Sequence, residues 1–256
     1  SLQHPNNMIS YEAARTICLI PNIGVHELSR SMECFRSMLF DDKPSVRYAA
    51  VKTLSNVAQP RAVALCNEGL EALLTDDSKQ IATLAVSTLL KTGSEATIDK
   101  VLGMLSSVMD GIQDDQKIAI LKSLEHLCLS YPAKHRAIVI FLSTVLREDE
   151  GFDFKRSIVN SIVSLIKKVP ETTDSSLLLL CEFIEDCEYA MLSTHIMHIV
   201  ADLGPTTRTP SRYIPFVYNR VILENATVRS AAIAALSKFA ARCPSLRSSI
   251  TARLKH

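Results

Sequence analysis

The sequence has no tryptophan, and Phe and Tyr bring its aromatic content to only 5%. Packing therefore falls to Leu, Ile, Val and Ala, the side chains that fill the space between closely packed helices. Seven glycines in 256 residues are too few for a sheet-rich fold with many tight turns. No run of 18 apolar residues occurs, so no segment reads as a membrane-spanning helix. Residues 1–20 lack the charged-then-apolar pattern of a secretory signal. The formal net charge is +1, which gives no electrostatic reason to expect nucleic acid. The seven cysteines are scattered and odd in number, as expected of reduced cytosolic thiols and not of a disulfide framework.

The motifs of common catalytic sites are missing too. There is no glycine-rich phosphate loop, no G-x-S-x-G elbow and no H-E-x-x-H pair. Paired acids stand where helices should begin, and capping accounts for them there. The residues predict no enzyme, no cofactor and no catalytic site.

What is present is a repeat. The stretch Val46-Arg47-Tyr48-Ala49-Ala50-Val51-Lys52-Thr53-Leu54 returns in degenerate form along the chain. With Arg47 as anchor, the matching positions are Glu12, Arg47, Ala82, Lys117, Lys155, Ala190 and Arg229, at spacings of 35, 35, 35, 38, 35 and 39 residues. Four places on stand Thr16, Val51, Val86, Leu121, Val159, Thr194 and Ile233. Seven places on stand Leu19, Leu54, Leu89, Leu124, Ile162, Met197 and Leu236. A period of this length with a fixed apolar register marks stacked helix pairs, each burying its stripe against its neighbours. The fold class is all-α: a right-handed α-solenoid of stacked antiparallel helix pairs, HEAT- or armadillo-like, with about seven repeats. Residues 1–256 are expected to form a single solenoid piece, cut through a repeat at both ends.

The first helix of each pair is expected over 25–40, 61–74, 95–109, 133–147, 175–184 and 212–223, and the second begins near each anchor. Segment 8–20 reads as a second helix without its first, and Ser245–Lys255 as the start of another first helix. Pro21, Pro60, Pro132, Pro170, Pro205 and Pro244 follow second helices, with Gly93 in the third repeat. Proline cannot continue a helix and glycine readily ends one. Ser94 reads as an N-cap. Short acidic turns precede the second helices: Asp41-Asp42, Asp76-Asp77, Asp114-Asp115, Glu148-Asp149-Glu150, Glu185-Asp186 and Glu224. Their carboxylates would cap the helix N–H groups and face the positive end of the dipole. Arg47, Lys117, Lys155 and Arg229 put a cation in that same first turn, where the dipole disfavours it. The acidic turn three to six residues earlier is the expected partner, and the Asp41-x5-Arg47 spacing resembles that of HEAT repeats. The other reading is a basic ladder for an acidic partner.

Two groupings remain. Cys181, Cys187, His195 and His198 are the nearest approach to a metal set, but their spacing is not that of a zinc finger. Six residues apart on one helix, the two cysteines would point to nearly opposite faces. No metal site is expected. Tyr213, Phe216 and Tyr218 lie among Arg208, Arg212 and Arg220, the richest aromatic and basic cluster in the chain. It reads either as a first helix packing its aromatics inward or as an exposed partner-binding patch, because Tyr and Arg are enriched at interface hot spots. Arg208, Arg212, Tyr213 and Arg220 are the candidate partner-binding residues.

Several stretches carry a resemblance, and two blocks within them, Leu90-Lys91-Thr92-Gly93-Ser94-Glu95 and Cys181-Glu182-Phe183-Ile184-Glu185-Asp186-Cys187-Glu188, are not generic to helical repeats. The stretches include Tyr11-Glu12-Ala13-Ala14, Arg47-Tyr48-Ala49-Ala50-Val51 and Ile81-Ala82-Thr83-Leu84-Ala85. Others are Leu89-Leu90-Lys91-Thr92-Gly93-Ser94-Glu95, Leu180-Cys181-Glu182-Phe183-Ile184-Glu185-Asp186-Cys187-Glu188 and Tyr218-Asn219-Arg220-Val221. In this order they resemble the middle of the trunk of the gamma subunits of coatomer, the COPI vesicle coat. The departures lie mostly in linkers such as Arg61–Glu68 and Gly204–Ser211. The resemblance implies a structural coat subunit, related in architecture to clathrin-adaptor large chains, with a trunk followed by a linker and an appendage. It implies the zeta, beta and delta coatomer chains as partners. An Arf-family GTPase in its GTP form would bind through repeats outside this stretch, and cargo tails are a further implied class. It places the protein in the cytoplasm, peripheral on Golgi membranes and COPI vesicles, in Golgi-to-ER and intra-Golgi transport. The alternatives are a HEAT-repeat nuclear-transport receptor and another HEAT scaffold such as a phosphatase-type regulator. Receptors of the first kind carry an acidic concave face, which a net charge of +1 does not suggest, and irregular spacings of 38 and 39 residues count against the second.

Overall fold

A computed structural model describes residues 2, 4, 6–93, 95–109, 112–148 and 150–255. The described chain is helical, without strands. It divides into two compact units, one running to Leu127 and the other starting at Cys128.

The first unit opens with α1 (Asn7–Cys18), α2 (Val25–Met38) and α3 (Pro44–Asn56). A broken first helix follows, in which α4 (Pro60–Val63) and α5 (Asn67–Ala72) are joined and ended by 3-10 turns. Then come α6 (Lys79–Thr92), α7 (Glu95–Met109) and α8 (Asp114–Ser130), whose last turn passes into the second unit. The unbroken helix expected over 61–74 is therefore wrong in detail. Close packing accounts for the irregular path: a Cβ at Gly69 would meet Leu39 Cδ1 at 2.8 Å. The thiol of Cys66 donates to the Met32 carbonyl, and Asn67 exchanges hydrogen bonds with Thr92. α6 is central: Ile81, Ala82, Ala85, Val86, Leu89 and Leu90 are all buried.

The second unit contains α9 (His135–Leu146), α10 (Phe152–Lys168), α11 (Thr173–Phe183), α12 (Ala190–Leu203), α13 (Ile214–Leu223), α14 (Ala226–Arg242) and α15 (Arg247–Leu254). α12 and α14, consecutive second helices, pack along each other, and α13 packs on α14. Prolines do more here than stop a helix. Pro132, Pro170 and Pro244 each open a 3-10 turn that leads into the next first helix. Their fixed φ and missing N–H suit the first position of a helical turn.

The apolar register is offset from its sequence-based reading. Three and seven residues after the anchor, not four and seven, is the pairing buried in every second helix from α3 to α14. Ala50, Ala85, Ile120, Ile158, Ser193 and Ala232 are buried at the first of these positions, as are Leu54, Leu89, Leu124, Ile162, Met197 and Leu236 at the second. By contrast Thr194 is half-buried and Ile233 is 40% exposed. In α1 the pattern fails, since the helix ends at Cys18 and Leu19 is exposed.

Capping also departs from expectation. Asp41 and Asp76 accept from the backbone N–H of Lys43 and Ser78, two residues on, at 2.9 Å each, and so shape the turn ahead of the helix without capping it. Asparagines form side-chain caps instead: Asn6 accepts from Met8 N, and Asn225 from Thr227 N and Val228 N. Gly93 follows α6 in extended backbone, so left-handed freedom is not its role. A Cβ there would meet the Leu89 carbonyl at 2.6 Å and Thr97 at 3.1 Å. The Ser94 cap and the Asp149 part of an acidic turn lie outside the described residues.

One carboxylate of the first unit, Glu71, is expected to contribute to the acid dependence of stability. Glu71 accepts from Thr97 Oγ1 at 2.9 Å and from Lys100 Nζ at 2.7 Å. The Lys100 hydrogen bond, above the other causes, holds its carboxyl below the ordinary value of 4.5. A depressed folded value adds stability that is present above the unfolded pKa and lost as pH falls through the folded one. Glu71→Gln is therefore expected to flatten the fall in stability below about pH 4.5, measured by urea titration at stepped pH. An unchanged acid limb would assign that fall to other carboxylates.

Candidate partner-binding surface

The candidate surface begins from the turns between first and second helices, because the anchor cations act there. Arg47 Nε meets Asp76 Oδ2 at 2.8 Å, with side-chain exposures of 17% and 3%. Its Nη1 donates to the carbonyls of Asp41 and Asp42 at 2.9 and 3.1 Å. The expected partner is thus corrected. The acidic turn before Arg47 supplies backbone oxygens, and the carboxylate comes from the next repeat. One guanidinium, whose planar fork presents several donors at once, joins two successive turns.

The second unit repeats this with a different residue. Arg220, at the end of α13, is 5% exposed. Its Nη1 reaches Glu224 Oε1 at 2.9 Å and the carbonyls of Ile184 and Glu185 at 3.1 and 3.2 Å. The Ile184–Glu185 turn belongs to the preceding repeat. Nearby, Tyr189 O–H donates to the Glu150 carbonyl at 3.4 Å. Arg229, the anchor of α14, donates to the carbonyls of Val221 and Glu224. Lys155 instead lies over the rings of Phe183 and Tyr189, at 5.7 and 6.0 Å from their centroids.

The four candidate residues accordingly separate. Tyr213 is 1% exposed and buried at the start of α13, where its hydroxyl donates to Asp174 Oδ1 at 3.3 Å. Burial pushes its pKa up to about 12. Tyr213 and Arg220 are structural, and neither is available to a partner as an exposed patch residue. Arg208 and Arg212 are exposed on the segment between α12 and α13. No signal in the sequence separated the two pairs, since the cluster spans a turn and the helix after it.

The cysteine–histidine grouping also disperses. Cys181 is buried in α11, and burial, reinforced by Glu182 and Glu185, pushes its thiol up to about 12. α11 ends at Phe183, so Cys187 lies in the following turn and not on the same helix. His195 and His198 are exposed on α12. Desolvation, followed by Arg156 and His198, pulls the His195 pKa down. Among the described residues, no three His, Cys, Asp or Glu side chains are placed to hold a metal. Among them too, no helix is long and apolar enough to cross a membrane.

Comparison with known proteins agrees with this architecture. In the structure of karyopherin Kap121p bound to the extreme C-terminus of the phosphatase Cdc14p, the match has a TM-score of 0.60 at 14% identity. It covers 97% of this chain and 31% of that one, and at this identity it shows the fold alone. Human coatomer subunit gamma-2 is 45% identical over 99% of the chain, and Arabidopsis thaliana coatomer subunit gamma is 44% identical over the same share. The chain spans 29% of the length of either relative. The profile of the adaptin N terminal region matches residues 1–256 throughout. The chain belongs to the adaptin N-terminal region family, and within it resembles the gamma subunits of coatomer.

Proposed function

We propose that this chain is a length of the trunk of a non-enzymatic scaffold subunit of the COPI vesicle coat. It acts through protein–protein contacts in Golgi-to-ER and intra-Golgi transport. The 45% identity to human coatomer subunit gamma-2 across 99% of the chain carries this reading. The geometry supports it: the buried polar groups of the turns are spent on joining one repeat to the next, as a structural part requires. On this reading residues 1–256 act as one piece of a longer trunk. The zeta, beta and delta chains are its partners in the coat, and the protein is cytoplasmic and peripheral on Golgi membranes. A GTP-loaded Arf-family GTPase binds through repeats beyond this stretch, and cargo tails are a further partner class. Arg208 and Arg212 are its partner-facing residues.

The test is to tag the full-length protein at its cellular level and identify its stoichiometric partners by mass spectrometry. Recovery of the other coatomer chains is the expected result. Recovery of nucleoporins with a Ran-type GTPase and diverse nuclear cargo would overturn the reading and leave only the solenoid.

A further inference from the structure

The near-neutral total hides a strong asymmetry. Residues 189–256 hold nine Lys and Arg against two Asp and Glu, while residues 1–188 hold nineteen against twenty-five. Both acids of the basic stretch are already engaged, Asp202 with Lys238 at 2.7 Å and Glu224 with Arg220 at 2.9 Å.

Of the seven cations left over, Arg208, Arg212, Arg242 and Arg247 gather at one edge of the second unit, where second helices turn into first ones. Arg208 and Arg212 are exposed on the segment after α12, and neither forms an ion pair among the described residues. Arg242, at the end of α14, and Arg247, at the start of α15, are also exposed. Their hydrogen bonds go to backbone carbonyls, Arg242 Nη1 to Asp202 at 3.0 Å and Arg247 Nε to Ala240 at 3.3 Å, and although Arg242 also lies in the field of the Asp202 carboxylate, that group is already paired with Lys238. The two turns touch. Besides the Arg242 bond, the Cys243 thiol lies 3.7 Å from the Pro205 carbonyl, and Gly204 sits against the ring of Phe239.

We propose that the turns 202–213 and 242–247 form a docking edge for a carboxylate-rich segment of a partner protein. All four side chains are arginines, whose planar forks suit bidentate pairing with carboxylates. Packed helices lie about 8–10 Å apart, and an extended chain advances about 3.3 Å per residue. One peptide therefore meets the arginines of successive turns at intervals of about three residues. An anionic membrane fits less well, because interfacial binding also uses exposed apolar side chains. The exposed large apolar residues of α12 to α14 are Met191, Ile222, Leu223 and Ile233, at the opposite edge or on the α14 face. The proposal does not depend on the coat reading.

The intact protein, purified in the assembly it forms in cells, would be titrated with a fluorescein-labelled twelve-residue Asp/Glu peptide and followed by anisotropy. Binding that weakens steeply with salt is expected. R208E/R212E should lose at least tenfold in affinity, and R208K/R212K should lose less, because charge is kept and the fork is not. R30E, at an exposed arginine of the first unit, should bind as the parent does. Equal peptide binding by parent and R208E/R212E would overturn the proposal, as would an equal loss in R30E. Binding to phosphatidylserine vesicles without binding to the peptide would also overturn it, in favour of a membrane. Far-UV circular dichroism melts check that the variants fold, and R242A/R247A gives a second reading on the neighbouring turn.

Discussion

Arg220→Ala is expected to lower the unfolding free energy by about 3–5 kcal/mol, the usual cost of breaking a buried ion pair from one side. The side chain is 6% exposed and the partner Glu224 23%. Truncation strands three acceptors at once: the Glu224 carboxylate and the carbonyls of Ile184 and Glu185. Unpaired buried acceptors keep their desolvation cost without return. Arg220→Lys should recover part of the loss, because one ammonium cannot span acceptors on two turns as the guanidinium does. Urea unfolding followed by circular dichroism measures both. A cost for Arg220→Ala below about 1 kcal/mol, the range of surface substitutions, would mean that water reaches the turn and takes over these bonds.

Phe239→Ala should cost a similar amount, about 3–5 kcal/mol, from lost burial and the cavity left behind. Phe239, on α14, is 0% exposed, with its ring against the turn that follows α12. It also fixes a glycine: a Cβ at Gly204 would fall 2.4 Å from its Cζ. Gly204 is not in a left-handed conformation, so the demand is for space alone. Gly204→Ala by itself is expected to cost about 1–3 kcal/mol through overpacking. In the double variant the alanine methyl enters room vacated by the ring, so the two costs should fall short of their sum by about 1 kcal/mol or more. Additivity within about 0.5 kcal/mol would place the constraint on Gly204 elsewhere.

The helix order and nearly every boundary were legible in the sequence, because period and breakers are local signals. The register was less so. At the fourth place after the anchor, Val51, Val86, Leu121 and Val159 are buried, and their agreement masked the switch at Thr194 and Ile233. Ser193 and Ala232 take the inner position there, but neither is apolar and bulky enough to announce it. The partner of Arg47 was hidden for another reason. Asp76 lies 29 residues away, and the acids at Asp41 and Asp42 offered a nearer answer whose carbonyls, not carboxylates, are used. Burial of Tyr213 and Arg220, against exposure of Arg208 and Arg212, depends on where a 3-10 turn meets a helix, which composition does not encode.

The bonds of Arg47 and Arg220 to main-chain oxygens bear on how such a chain can change. A carbonyl is supplied by every residue type, so the arginine bonds to the turns Asp41–Asp42 and Ile184–Glu185 do not themselves depend on the side chains there. Asp41 and Ile184 are fixed by their own side chains, one bonding the Lys43 N–H and the other buried, but the exposed Asp42 and Glu185 can change so long as the backbone keeps its course, whereas each arginine holds several bonds that no other side chain reproduces. The linkers of this solenoid can therefore drift in sequence while the repeats stay in step, with constraint concentrated on single, widely spaced basic residues.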